Sequence, residues 1–462
     1  MKRGIRLMVL LAAFALIAAA CGDSSDDTTT AAPATTAAAT TAAPDTTAAP
    51  DTTAATTTEA PMAGVSCDEP VKVGVITDQT GALAIFGVHI LAAFPLGMEY
   101  ATGDAGTGDT ASGQSYMLDD CQIDVIWKDD TSDAEASVQL ARELIEVDGV
   151  DIIVGSVNSG VTGGIQELAK DNDVIHIAAP AAANDLTGST FNPNSFRVSR
   201  NNYQDAVAAC QYFTTEFDTF VNVAQDYAFG IGGTSAYRDA CGVLGGQFPA
   251  DDILIPLETT DFTPYAEQIL NSGAEVWTLT WAGGTLPDLF QAVSDVGVND
   301  SMELGAAFFD NVLLPLWFQT QIGKTAVTLY HYTQPDNAIN DWLVAKAAEA
   351  GTFPDLFWAD GMNAALAITE ALHVTGGDAS ADALRAALEG LVFEGPKGTI
   401  ELRAEDHVAI QDMYVVTLTN LDNAEAKFFE TVTTVRPDVP CLLEGEYLDR
   451  CGDLPVGSLS GS

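Results

Sequence analysis

Apolar and polar positions along this chain follow two rhythms, and one junction between them organises the reading. Residues 152–154, Ile-Ile-Val, form a short β-branched run that Gly155 stops, the mark of a buried strand. Small polar residues follow (Ser156, Asn158, Ser159, Gly160, Thr162), and 164–170 then takes up helical spacing. A strand that turns through small residues into a helix places the turn at the carboxyl edge of a parallel sheet, where such folds bind ligands. Backbone N–H groups at the helix start favour an anion, and Ser159 adds a hydroxyl. A plain βα turn accounts for the same residues without any ligand.

The alternation continues over most of the chain. Strands are expected at 71–77, 123–128, 151–154, 174–178, 219–224, 252–256 and 276–281. Helices are expected at 86–101, after the cap Asp133, and at 203–213, 233–244, 264–271 and 286–296. Repeated βαβ units predict parallel sheets with helices on both faces. About 390 residues of this pattern exceed one sheet, so the fold class is α/β with two doubly wound lobes.

The first 62 residues break the pattern. Lys2, Arg3 and Arg6 precede an apolar run at 7–17, too short to span a bilayer. Ala18-Ala19-Ala20-Cys21 closes it and resembles a bacterial lipobox, with Ala18 where leucine is usual. Residues 1–21 thus read as a lipoprotein signal ending in a lipidated Cys21, an anchor to a membrane. Thr, Ala and Pro dominate 23–62, which cannot bury a core, so 22–66 is expected as a disordered tether. Such a tether reaches roughly 130 Å extended and roughly 35 Å as a coil.

The 462 residues are 47% hydrophobic and 18% charged, with a formal net charge of -47. That acidity argues against nucleic acid and anionic lipid surfaces as partners. Six cysteines remain beside Cys21, namely Cys67, Cys121, Cys210, Cys241, Cys441 and Cys451. An even number in an exported chain suggests three disulfides among 15 possible pairings. Locality favours Cys67–Cys121, Cys210–Cys241 and Cys441–Cys451. No C-x-x-C occurs and no cysteine–histidine spacing fits zinc. The five histidines are scattered, and no His-Glu-x-x-His, nucleophile elbow or Walker loop is present. The chain therefore reads as a non-enzyme with no cofactor and no metal. Gly230-Ile231-Gly232-Gly233 reads as a turn into a helix.

Five stretches carry a resemblance. They are VKVGVITDQTGALAIFG (71–87), VIWKDDTSDAEASVQLARELIEVDGVDIIVGSVNSGVT (125–162), DYAFG (226–230), DFTPYAEQILNSGAEV (261–276) and FEGPKGTIELRAEDHVAIQDMYVV (393–416). In this order they resemble the solute-binding proteins of branched-chain amino acid ABC transporters, the leucine/isoleucine/valine-binding branch. The resemblance implies a type I periplasmic-binding fold with three chain crossings. Lobe 1 would comprise 67–198 and 305–409, lobe 2 would comprise 199–304 and 410–455, and 456–462 would be a tail. A small solute would bind between lobes that close by hinge motion, and the closed form would dock on an ABC permease with its ATPase subunits. The alternative is a ligand sensor on the same fold that reports to a membrane receptor or regulator.

An amino acid ligand needs donors for its carboxylate and acceptors for its ammonium. The resemblance places Thr80, Ser159 and Gly160 in the cleft, with Ser159 on the carboxylate. Ala183 falls where the family's ammonium-binding hydroxyl stands, which leaves the carbonyls of Ala181 and Ala182 as acceptors. Thr285 falls near the family's second-lobe acid, with Asp288 three residues on, and Asp310 is a possible replacement. Phe86 and Phe229 align with aromatic positions and, with Trp281, would wall the site. The expectation is a small carboxylate or amide with an apolar or aromatic body.

Overall fold

The computed structural model describes residues 64–306 and 310–461; the expected leader, Cys21 and the tether as far as residue 63 lie outside the described residues. The first strand, β1 (Val71–Thr77), shows why both faces of its sheet are covered. Val71, Val73 and Val75 join one apolar cluster, while Ile76 joins another. Gly74 lacks a side chain where Leu144 presses in, 2.7 Å from the position a Cβ would take. Alternate residues thus feed two helical layers, as a doubly wound sheet requires.

Helix α1 (Ala84–Thr102), β2 (Thr107–Asp109), β3 (Gly113–Leu118), β4 (Cys121–Asp129), α2 (Ala134–Glu143), β5 (Ile152–Val154), α3 (Ser159–Asp171), β6 (Ile175–Ala178) and β7 (Ser195–Arg197) complete this sheet. Its order is β2-β3-β4-β1-β5-β6-β7. From β4 to β7 the strands are parallel; β2-β3-β4 is an antiparallel edge that the sequence pattern did not announce. Helix α1 is apolar enough to pass for a membrane span by composition. Instead it buries Phe86, Ile90, Ala93, Phe94 and Met98 in the core.

The second lobe follows with α4 (Asn202–Phe213), β8 (Phe220–Gln225), α5 (Ala228–Val243), β9 (Ile253–Ile255), α6 (Thr263–Leu270), β10 (Val276–Thr280), α7 (Leu286–Asp295) and β11 (Glu303–Ala306). Four strands pair in parallel in the order β11-β10-β8-β9. Gly230 and Gly233 lie inside α5 and not in a turn before it. A Cβ on Gly230 would stand 1.9 Å from the Gln225 carbonyl, and one on Gly233 2.2 Å from Thr280 Oγ1. Both glycines therefore let the helix lie close on the strands beneath it.

The rest of the chain comprises α8 (Leu314–Trp317), β12 (Thr325–Thr328), α9 (Ala338–Glu349), α10 (Trp358–Thr375), α11 (Ala381–Leu388), β13 (Val392–Gly395), β14 (Gly398–Leu402), β15 (Ala409–Ile410), β16 (Met413–Leu418) and β17 (Phe429–Val435). Here two expected boundaries are corrected. Strand β11 extends the lobe 2 sheet, and β12 pairs antiparallel with β16, Thr328 opposite Tyr414. The return to lobe 1 thus falls after Thr328 and not at 305, because the backbone groups of β12 find their partners in β16. Helix α10 then packs on α1, placing Ala365 and Met362 against Gly97.

The second correction concerns the end of the chain, which was expected to stay in lobe 2. After β17 it returns to lobe 1, where Arg403 donates to the carbonyls of Val439 at 2.9 Å and Pro440 at 3.4 Å. Cys441, Leu443 and Cys451 then share a small apolar cluster with Phe191. It finally reaches lobe 2 again, where the Leu459 N–H donates to Asp239 Oδ2 on α5 at 2.7 Å. The described chain therefore crosses between the lobes twice more than expected. The three disulfides are Cys67–Cys121, Cys210–Cys241 and Cys441–Cys451, the pairing that locality favoured.

Candidate functional site

The junction after β5 starts its helix earlier than the sequence indicates. Asn158 caps α3, accepting from the N–H groups of Gly160 at 2.9 Å and Val161 at 3.3 Å. This cap lets a run of Ser, Gly, Val and Thr, poor helix formers all, enter the helix at Ser159. It also occupies the amides that were expected to hold an anion. Gly160 is exposed and is not among the residues lining the cleft cavity. Ser159 does line it, and is buried. Its oxygen accepts from the Ala183 N–H at 3.2 Å, which leaves the hydroxyl proton to donate into the cavity.

The cavity measures ≈ 80 Å³, on the measure in which one water needs about 10–15 Å³. That suits a small molecule and excludes a peptide. Phe86, Phe229, Trp281 and Ala182 are among the residues that line it. Phe86 meets Phe357 edge-on at 5.4 Å, and Trp281 meets Phe262 at 5.9 Å. Those contacts hold the rings in place, and the Trp281 Nε1 has no hydrogen-bond partner among the described residues.

Other expected residues are elsewhere. Thr80 donates to Asp129 at 2.6 Å, and Thr285 stands at the start of α7; neither lines the cavity. Asp310 is fully buried away from it, with Oδ1 accepting from the N–H groups of Val312 and Leu313 at 3.0 Å each. Burial raises its pKa, and it does not line the cavity. The carbonyls expected to accept an ammonium are already engaged. Arg197 donates to Ala181 and Ala183 at 2.6 Å each, and Ser199 also donates to Ala181 at 3.0 Å. The Asn202 N–H takes Ala182 at 3.0 Å. Alanine at 183 therefore supplies no side-chain acceptor; the Ala181 carbonyl already accepts two bonds, and those of Ala182 and Ala183 accept one each.

The polar end of the cavity is instead built from the segment that enters α4, which the sequence reading passed over. Arg200, Asn202 and Asp205 all line it and all are buried. Arg200 donates from Nη1 to the Pro180 carbonyl at 3.0 Å. Its guanidinium stands 5.9 Å from the Phe229 ring centre and 5.4 Å from that of Phe357, a cation–π arrangement. The Nε of Arg200 has no hydrogen-bond partner among the described residues. Beneath it Arg197 is also buried, and burial together with the Arg200 charge pulls its pKa down to about 9. Tyr227 and Tyr237 line the same space. One signal could have found Arg200. Only 18 Lys and Arg occur in the chain, and Arg197 and Arg200 both fall at a strand-to-helix junction like that of Ser159.

A family model described as periplasmic binding protein matches residues 70–425. A Leu/Ile/Val-binding protein homolog of Brucella melitensis is 25% identical over 386 residues, 80% of this chain and 94% of that protein. A solved ABC-type branched-chain amino acid transporter from Rhodopseudomonas palustris is 30% identical, with a TM-score of 0.68 over 81% of this chain and all of that one. A solute-binding protein from R. palustris, solved in complex with 4-hydroxybenzoate, shares the fold at a TM-score of 0.70 and 21% identity, covering 80% of this chain and 98% of that one. With two α/β lobes and a cavity between them, this chain belongs to the periplasmic binding protein family, in its branched-chain amino acid type of substrate-binding protein.

Proposed function

We propose that this chain is the lipid-anchored solute-binding component of an ABC importer. It captures a small carboxylate with an apolar or aromatic body and hands it to a membrane permease driven by ATPase subunits. The observation that carries the ligand class is Arg200, a buried guanidinium with an unfilled Nε, set among Phe86, Phe229, Trp281 and Phe357. Burying a cation in an apolar cleft is unfavourable without anionic partners. Asp205 Oδ1, 3.5 Å from Nε, is one such partner; a ligand carboxylate supplies another, with the Ser159 hydroxyl as a second donor, while the rings take an apolar body. The lipid anchor follows from the Ala-Ala-Ala-Cys sequence ending at Cys21 and the Thr/Ala/Pro tether behind it, which let the binding domain search near the membrane.

Thermal unfolding with a panel of branched-chain and aromatic acids tests the ligand class. A ligand at 100 times its Kd adds about 2.7 kcal/mol, a readily visible shift. Carboxylates with apolar bodies raise the midpoint, and the matching neutral alcohols do not. Arg200→Gln removes the response. A response to carboxylates that survives Arg200→Gln unchanged rejects the assignment. Permease and ATPase genes beside the gene for this chain are the outcome expected for delivery.

A further inference from the structure

Two buried acids meet where the lobes touch. Asp310 and Asn311 follow β11 in lobe 2, and Leu314 and Phe318 just beyond them pack with Trp277 and Phe290 of that lobe. Asp355 stands before α10 in lobe 1, and Phe357 two residues on packs against Phe86 of α1. The Asn311 N–H donates to both oxygens of Asp355, at 3.1 and 2.9 Å. That bond joins the lobes and sets Asp310, the preceding residue, close enough for its charge to act on Asp355. Asp310 is fully buried and Asp355 is 8% exposed. Asp310 Oδ2 has no hydrogen-bond partner among the described residues.

No positive charge offsets the two. Among the described residues neither acid pairs with a lysine or arginine; the ion-pair partner of Asp355 is His89 of α1, its Nε2 4.0 Å from Asp355 Oδ2. His89 Nδ1 accepts from the Phe357 N–H at 3.3 Å, so Nε2 carries the proton. Burial pulls this imidazole down to about 3, which keeps it neutral. Tyr330 also faces Asp355, but its hydroxyl donates to Asn340 at 2.7 Å and burial keeps it protonated. Arg200 reaches the Phe357 ring, 5.4 Å from its centre, and its charge faces Asp205. Two like charges held together out of water cannot both persist.

We propose that Asp310 and Asp355 form a proton latch: closing the lobes brings the two carboxylates together and takes up one proton from solvent, so that acid favours the closed cleft and alkali opens it. In the closed form burial, then the Asp310 charge, raises Asp355 to about 7. Once the lobes part and water reaches it, an aspartate titrates at about 3.9. Between these values closure binds a proton, and each unit of acidification favours the closed form by up to about tenfold. Above about 7 both charges must be buried on closing; below about 4 the open form is protonated too, and the gain stops. The latch depends on lobe closure and is independent of which solute the cleft takes.

Electron–electron double resonance on the ligand-free protein tests it. One spin label replaces the exposed Val147 in lobe 1 and one the exposed Leu257 in lobe 2, both carried on non-natural residues so that the cysteines stay paired. The fraction at the shorter inter-lobe distance rises about threefold or more from pH 8 to pH 5. Asp355→Asn keeps an acceptor for the Asn311 N–H without a charge, so its short-distance fraction stays at the acid value throughout. Asp310→Asn removes the facing charge and moves the midpoint to lower pH by about half a unit or more; it carries the test if the Asp355 variant does not fold. A distance distribution independent of pH in the unaltered protein, or the same pH response in a folded variant, overturns the proposal.

Discussion

Asn184 in lobe 1 donates its side-chain amide to the carbonyl of Gly232 in lobe 2, at 3.0 Å. The bond ties the short turn after β6 to the first turns of α5, across the mouth of the cavity that Ser159 and Phe229 line. A hinge that opens the cleft breaks it. Asn184→Ala therefore destabilises the closed form by about 1 kcal/mol, roughly a fivefold loss of affinity. Stopped-flow binding shows the loss as faster ligand release. An unaltered release rate would mean that this bond does not hold the lobes together.

Ser159 has two jobs in the cleft, and both end with the hydroxyl. Its oxygen accepts from the Ala183 N–H, and its proton is available to a ligand carboxylate. Ser159→Ala leaves the amide unpaired and removes a donor to a charged group, a loss of about 2 kcal/mol in binding. Titration of the variant with an apolar carboxylate measures it. Undiminished affinity would confine Ser159 to holding the turn at Ala183.

His176 is buried with its Nε2 2.7 Å from the Gly155 carbonyl and its Nδ1 2.6 Å from Ser195 Oγ. A carbonyl only accepts, so Nε2 carries the proton and Nδ1 accepts from the serine. Burial lowers the pKa of this imidazole to about 4. An unfolded histidine titrates at about 6.5, so the unfolded chain takes up the proton first as pH falls. The stability that His176 contributes is complete above about 6.5 and is lost on acidification toward pH 4. Nitrogen NMR of the imidazole should show the Nε2-protonated tautomer at pH 7 and no titration above pH 5. A midpoint near 6.5 would contradict the burial argument.

The returning C-terminal segment is fastened to lobe 1 by Arg450. It donates to Glu389 at 2.8 Å and to the carbonyls of Ala404 at 2.6 Å and Glu405 at 2.9 Å. Hydrogen bonding from His407, then Arg450, holds the Glu389 pKa down at about 2. This carboxylate therefore adds stability above its unfolded pKa, near 4.5, and the gain disappears as pH falls toward 2. Glu389→Gln removes that acid limb, read as a flatter urea midpoint between pH 4.5 and 2.5. A variant with the same pH profile as the parent would detach Glu389 from acid unfolding.

Opening the Cys441–Cys451 loop tests the same segment without changing a charge. The pair closes 10 residues, and loops near that size are worth about 3 kcal/mol in the chain-entropy account. Cys441→Ala with Cys451→Ala should lower hydrogen-exchange protection at Gly457 and Leu459, whose N–H groups bond to Cys441 and Asp239. Protection in β1 and α10 is expected to persist. Loss of protection throughout both lobes would show that the segment is part of the global folding unit.

Much of this molecule is readable from local pattern. The strand at 71–77 was expected where β1 stands, because period-two valines between polar neighbours have one good solution. The disulfide pairs followed from nearness along the chain. Helix α3 was read five residues late, since Ser159, Gly160 and Thr162 are weak helix formers and the cap from Asn158 is a side-chain bond that pattern does not reveal. The return at 305 was misplaced for a similar reason. A lone run such as Thr325–Thr328 does not say which sheet will pair with it, and β16 lies nearly 90 residues ahead.

The cleft divides along the same line. The sequence by itself determined the α/β alternation and the turn bearing Ser159, because each follows from local periodicity, while the resemblance to the family pointed to Phe86 and Phe229. Only the tertiary structure decided the polar end. It turned the carbonyls of Ala181 and Ala183 toward Arg197, sent Asp310 elsewhere, and brought Arg200 and Asp205 together with Phe357 from the far side of the chain. Burial and partner availability are properties of the packed molecule. They decide whether a polar atom is already satisfied or remains open to a ligand.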